Sequence, residues 1–339
     1  MDLFDLTREL IDIESFSGNE RQVGDFLYDR ISALGSLYGG VVERMEVAPN
    51  RFNVFARWGN PTVTLSTHMD TVPPYIPFHE DDEYIWGRGA CDAKGIAAAM
   101  ISAAEGVLAG GTRNIGLLFV VGEERNSAGA MTAAKQPRGS RYLINGEPTE
   151  NKLALGSKGA LRYELISSGK MAHSAYPELG ESAIEKLLDV LGELRTMPLP
   201  VDPILGPSTL NIGTIKGGRA PNMIPDSAGA EVMIRLVNDP GSTREAVSRA
   251  AAGRVEAREV LCIPALHLGS AEGFETTVVA YTTDIPAFEG AWGTPFLLGP
   301  GTIRVAHTLE ERVEKRQLVE AAQIYQRMVG QLLAQDKEA

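Results

Sequence analysis

The chain has 339 residues, 44% of them hydrophobic and 22% charged, and a formal net charge of −12. That is ordinary globular composition at a length suited to one large or two ordinary domains. The acidic balance, without any Lys/Arg run, argues against a nucleic-acid partner, which needs a concentrated basic patch, and no apolar run approaches the ~20 residues that span a bilayer.

Cys91 and Cys262 form neither a CxxC pair nor a disulfide framework, which points to a reducing cytoplasm. The opening residues carry no basic segment followed by an apolar core, so no signal peptide is expected. Instead Leu3, Leu6, Leu10 and Ile11 share one face of an amphipathic helix. Residues 52–57 and 62–67 read as strands. The Ala-rich stretch 93–109 reads as a helix stopping at Gly110–Gly111, and Ile115–Val121 as a strand buried on both faces. Residues 141–145 repeat that strand pattern. Alternation of strands and helices predicts an α/β domain with a mainly parallel sheet covered on both faces.

The middle of the chain has a different order. A strand at 161–169 is followed by a helix near Ser182–Leu194, strands near Thr209–Ile215 and Ala228–Val237, a helix near Ser242–Ala252 and a strand near Val255–Ile263. This β-α-β-β-α-β order predicts an inserted ferredoxin-like α+β domain. With crossings near Gly156–Gly159 and Leu268–Gly273, residues 1–156 and 270–339 form the catalytic domain and 157–269 the insert; a helix over Glu314–Leu333 ends the chain.

Five segments carry the chemistry: Thr67-His68-Met69-Asp70, Cys91-Asp92-Ala93-Lys94-Gly95, Gly122-Glu123-Glu124, Asn145-Gly146-Glu147-Pro148-Thr149 and Ala306-His307-Thr308. Four directly follow apolar strand patterns, and Asp92 opens the Ala-rich helix, so they gather at the carboxyl edge of the sheet, where open α/β sheets bind ligands. Singly each has a plainer reading: a core histidine, a helix N-cap at Asp92, a solvated Glu pair, a turn. Together they place several carboxylates side by side with Arg125 as the one cation next to the Glu pair. A divalent metal resolves that repulsion, and paired ions are known in hydrolases. His68 and Asp70, two apart on a strand, suit a ligand histidine and a carboxylate that orients it. Glu123 and Glu124 point different ways and can divide metal binding from proton transfer.

The segments STHMDTVP, WGRGACDAKG, VGEE, NGEPT and AHT together resemble the dinuclear zinc amidohydrolases, the family of acetylornithine deacetylase, succinyl-diaminopimelate desuccinylase, aminoacylase and carboxypeptidase G. The resemblance spans essentially the whole chain. It implies that His68 and Glu147 hold one zinc, Glu124 and His307 the other, and that Asp92 bridges them, with cobalt able to substitute. It further implies that Asp70 orients His68, that Glu123 is the general base, and that the peptide after Asp92 is cis. In the insert, the segment Gly169–Pro177 resembles a lid segment whose histidine, His173 here, stabilises the oxyanion, often in the partner subunit of a homodimer. Segments 217–225 and 233–236 resemble substrate-contacting segments and bring Asn222 and Arg235 to the matching positions. Two departures stand out: the chain is short for the family, and Ala93 follows the bridging Asp where many relatives carry a larger side chain. His79 and His267 match no family motif.

These readings combine into metal-assisted hydrolysis. On that expectation a zinc-bound water, its pKa brought toward about 7, would give its proton to Glu123, its oxygen would attack the acyl carbon, and zinc with His173 would hold the resulting oxyanion. Glu123 then protonates the leaving amine. A substrate carboxylate calls for a bidentate cation, with Arg235 the first candidate and Lys158 and Arg219 lesser ones. The expected substrate is a small N-acyl amino acid such as N-acetylornithine, a step of amino-acid biosynthesis, with N-succinyl-diaminopimelate or a dipeptide as alternatives. A non-catalytic metal-binding dimeric scaffold is the alternative of another class. No G-x-S-x-G elbow appears, and Cys91 reads as a small buried residue.

Overall fold

Asp2 accepts hydrogen bonds from the backbone N–H of Phe4 and Asp5 and so starts helix α1 (Leu3–Ile11), which buries Leu6, Leu10 and Ile11 as its apolar spacing requires. The structure is a computed structural model and describes residues 2–338. Helix α2 (Arg21–Tyr38) follows, burying Val23, Leu27, Ile31 and Leu34. Next come an antiparallel pair, β1 (Val41–Ala48) and β2 (Arg51–Trp58), and β3 (Val63–His68), which is buried along its whole length. Helix α3 (Lys94–Ala109) is buried on nearly every face, which its alanines permit. Strand β4 (Ile115–Val120), helix α4 (Ala128–Ala134) and strand β5 (Tyr142–Asn145) complete this part.

The chain groups into two compact units. The second unit takes Gly156–His267 and Val278–Thr282. It contains β6 (Gly159–Ser168), α5 (Ala183–Thr196), β7 (Thr209–Gly217), β8 (Ser227–Leu236), α6 (Gly241–Ala251) and β9 (Glu256–Ile263). Its sheet runs β7-β8-β6-β9, antiparallel throughout. Burial alternates along β6 and β8, the period-two signature of a sheet with one covered face. Helix α5 is capped by Ser182, which accepts from Glu185 N. Val278–Thr282 joins this unit, with Lys158 N donating to the Val279 carbonyl at 3.0 Å; the sequence reading had placed that segment in the other domain.

The first unit resumes at Leu268–Thr277 and again from Thr283. It adds β10 (Thr294–Leu297) and the long helix α7 (Lys315–Glu338). Its six-stranded sheet has the order β1-β2-β4-β3-β5-β10. The four strands from β4 to β10 are parallel, and β1 and β2 extend the sheet antiparallel. Gly146, just past β5, is required by close packing: a Cβ there would overlap Ile96 and Met100 of α3. The parallel strands end together, and three of the five chemical segments leave from those ends.

Candidate metal centre

His68 is the last residue of β3 and is 1% exposed. Its Nδ1 lies 2.9 Å from the Asp70 carbonyl oxygen, and its Nε2 lies 2.9 Å from Asp92 Oδ1. The main chain of Asp70 therefore orients the imidazole, while the nearer Asp70 carboxylate oxygen is 3.6 Å from Nδ1.

The Asp70 carboxylate faces the turn after β4. Oδ1 accepts from Gly122 N at 2.9 Å and Glu123 N at 3.1 Å; Oδ2 accepts from Glu124 N at 3.2 Å and from the Ser17 hydroxyl at 2.6 Å. Gly122 has φ +82°, a left-handed conformation that lets the strand fold back so that three consecutive N–H groups converge. Burial disfavours the charged form, but His68, Ser17 and the converging N–H groups outweigh it and hold Asp70 below the usual carboxylate range.

Asp92 corrects one expectation. Helix α3 begins at Lys94 with Ala93 in the capping position, so the Asp92 side chain caps nothing. The Asp92–Ala93 peptide is cis. The freed carboxylate turns inward, Oδ1 to His68 Nε2 and Oδ2 to His307 Nε2 at 3.3 Å. His307 does not follow a strand either; it sits on a loop with φ +62° and is half-exposed. Its Nε2 also lies 2.9 Å from Glu124 Oε1. Ligand-type atoms of His68, Asp92 and Glu124 all lie within 4.8 Å of one another, close enough to share one ion.

The electrostatics describe a cluster lacking positive charge. Burial pushes Glu123 well above the ordinary glutamate range, helped by Asp284, Glu124 and Asp92. It does the same to Glu147, aided by Glu123. Glu147 is 4% exposed, and its Oε1 has no hydrogen-bond partner among the described residues. Asp92 and Glu124 raise His307 to about 10. For His68, burial is outweighed by the Asp70 and Asp92 carboxylates, which lift it well above the usual histidine range. The glutamates drawn toward protonation and the histidines toward charge answer the same deficit, while Asp92, between the two histidines, is held below the usual carboxylate range against its burial. A cation among them would reverse both, and an orphaned buried carboxylate oxygen is the group such a cation would satisfy, so the donor set fits a metal.

Two buried acids escaped the sequence reading. Asp284 is 1% exposed and pushed up to about 7 by burial, against a pull from Ser127. Glu311 is 1% exposed and 2.5 Å from Arg88. Neither follows a strand or sits in a motif, so nothing local marks it. Cys91 is buried, as expected of a small core residue.

The remaining expected residues lie in the second unit. His173 is exposed on a two-residue bridge with Met223, its Nδ1 accepting from Ala175 N at 3.1 Å. Asn222 is exposed, and its carbonyl accepts from Ser174 N. Arg235, on β8, is half-buried, and burial lowers its pKa. Lys158 donates to the Pro207 carbonyl at 2.6 Å and Arg219 to Asp226 at 3.2 Å. His267 lies 3.2 Å from Asp202 and His79 stacks on Trp86, both ordinary roles.

The sequence model of peptidase family M20/M25/M40 matches residues 64–331, every strand and loop of the cluster included except the start of β3. The chain belongs to that family. A peptidase M20 domain-containing protein of Schizosaccharomyces pombe is 41% identical over 341 residues, covering 96% of this chain and 84% of its own. A probable carboxypeptidase of Aspergillus niger is 38% identical over 364 residues, covering 95% and 88%. Among solved structures, the aminopeptidase PepT of Bacillus cereus has a TM-score of 0.81 at 19% identity, over 98% of each chain. Bacillus subtilis YXEP, a dinuclear metal-binding peptidase of the M20 family, has a TM-score of 0.68 at 16% identity, over 98% and 97%. The fold is thus the M20 fold, and this M20 chain is an enzyme, a metal-dependent hydrolase, rather than a scaffold. No helix among its described residues is long and apolar enough to cross a membrane.

Proposed function

We propose that this M20 enzyme holds two zinc ions and cleaves the amide bond preceding a C-terminal amino acid, in a short peptide or a small N-acyl amino acid. The observation that carries the two-ion reading is Asp92, whose two oxygens address different histidines, His68 at 2.9 Å and His307 at 3.3 Å. Glu147 would complete the His68 side and Glu124 the His307 side. Bound there, the ions would acidify a water and polarise the scissile carbonyl.

This chain's own residues do the rest. Glu123, whose burial raises its affinity for a proton, would take the water's proton and return it to the leaving amine. Asp70 holds Glu123 and Glu124 by their main chain. Arg235, a half-buried guanidinium, is our candidate for the substrate carboxylate, with Asn222, Lys158 and Arg219 as lesser contacts. His173 is our candidate oxyanion donor, acting within a homodimer formed through the second unit. The names of the fungal relatives favour a peptide substrate. Deacetylation of N-acetylornithine or desuccinylation of N-succinyl-diaminopimelate breaks the same bond with a smaller acyl group. Two free cysteines suit a reducing cytoplasm.

The test is metal-dependent release of free amine from dipeptides, N-acetyl amino acids and N-succinyl-diaminopimelate, using enzyme stripped with chelator and reloaded with zinc or cobalt. We expect restored cleavage of at least one dipeptide. Glu123→Gln should lose roughly 10²–10⁴ in kcat with metal content unchanged. Full turnover by the stripped enzyme, or by Glu123→Gln, sinks the proposal.

A further inference from the structure

We infer that Glu311 is a positioning residue that fixes the main chain of Asp92 and thereby the geometry of the metal centre. The inference rests on the metal reading proposed above. Glu311 is four residues beyond His307, and its side chain is buried among the backbone of the loop that carries Asp92. Oε1 accepts from Gly89 N at 2.9 Å and from Asp92 N at 3.2 Å, with Cys91 Sγ at 3.8 Å. Oε2 lies 2.5 Å from Arg88.

Arg88 extends the contact to a third loop. Its Nε donates to the Pro74 carbonyl at 3.2 Å, and its backbone N–H donates to the Ile76 carbonyl at 2.9 Å. The Glu311 carbonyl accepts from Gly87 N at 3.1 Å. One buried ion pair therefore ties together the segment after His68 and Asp70, the segment bearing Asp92 and the segment after His307.

The loop depends on this carboxylate. Buried N–H groups need acceptors, and Ala93, in the capping position of α3, offers no side-chain oxygen. Glu311 supplies the acceptor for the N–H of Asp92 itself. Stability alone gives no account of the pair, because a buried ion pair is often no more stabilising than well-packed apolar residues. Residues that orient metal ligands typically change metal affinity about 10–100-fold when lost.

Two double variants isolate the effect, with cobalt(II) as the probe. Arg88→Met with Glu311→Gln removes the ion pair but keeps a carbonyl oxygen for Gly89 and Asp92. Arg88→Met with Glu311→Met keeps the volume and removes the acceptor. Neither leaves an unpaired buried charge. We expect the Gln double to bind cobalt within about threefold of the unmodified chain, and the Met double to bind about 10–100-fold more weakly with an altered cobalt absorption spectrum. A merely structural role lowers the melting temperature of the metal-free chain without moving the spectrum, so two doubles that bind cobalt alike with one spectrum overturn the inference. Should circular dichroism show the Met double unfolded, Glu311→Asp replaces it. That variant keeps the pair with Arg88 and shortens the reach to the loop: weaker binding is expected, and unchanged affinity and spectrum overturn the inference. An unmodified chain that takes up no cobalt overturns the metal reading itself, which separates the two failures.

Discussion

Replacing Asp70 with Asn removes one carboxylate oxygen from a site where two oxygens accept four hydrogen bonds. The amide oxygen can keep the Gly122 and Glu123 N–H groups. The amide nitrogen then faces Glu124 N as donor against donor, while the Ser17 hydroxyl can rotate and accept. The net loss is one charge-assisted bond and one stranded buried N–H, about 2–3 kcal/mol, or a roughly 30- to 150-fold smaller folding constant. Trp58, Trp86 and Trp292 all lie in the first unit, so tryptophan fluorescence during urea unfolding follows that unit alone. The folded-state pKa of Asp70 is lowered, so its contribution is present above the unfolded value near 4 and is lost as pH falls through the folded value. The two proteins should therefore differ fully at pH 7 and converge in strong acid. The substitution should also depress kcat, because the displaced turn carries Glu123. An Asn variant within about 0.5 kcal/mol of the parent at pH 7, with unchanged kcat, would refute the reasoning.

Glu147→Gln should act in opposite directions on the two states of the enzyme. Burial raises Glu147, so its ionised form costs stability above pH 4.5, and the metal-free variant should melt higher than the metal-free parent at pH 8 while taking up at least about tenfold less cobalt. A lower melting temperature would show that the orphaned oxygen has a partner in solution. In the metal-free chain Glu123, Glu147 and His307, the last raised to about 10, hold more protons than the unfolded chain does. Lys94, lowered to about 7 by burial, opposes them only above about pH 7, so the sign of linkage makes the melting temperature fall as pH rises from about 5 to 7. Saturating metal, which demands deprotonated ligands, should remove that slope; a metal-free slope of zero or of opposite sign contradicts it.

The parallel strands were readable because they are short apolar runs followed at once by polar chemistry: Ile115–Val120 leads into Gly122-Glu123-Glu124 and Val63–His68 ends in the histidine. The strand-end positions of Glu124 and Glu147 were readable for the same reason, whereas Asp92 and His307 stood out only through the family motifs. Helix α2 was missed although Val23, Leu27, Ile31 and Leu34 carry helical spacing, and β1 was missed because only Met45 along it is buried. The Asp70 clamp and the Glu311 contacts had no local trace. Asp70 reaches across to the turn after β4 and Glu311 to the loop before α3, and such partners are chosen by the sheet order, not by neighbouring residues.

The cluster draws its groups from His68 near the start of the sheet to His307 near the end of the chain. Tyr325 of α7 then fastens the Leu298 carbonyl at 2.8 Å, just beyond β10. A nascent chain leaving the ribosome therefore carries Asp92, Glu124 and Glu147 for some time before His307 and Glu311 emerge. Long-range pairings of this kind form late. The cell's metal pool thus meets a full binding site only once the chain has been made past His307, and a product truncated after β10 would have all six strands of its main sheet and no competent centre.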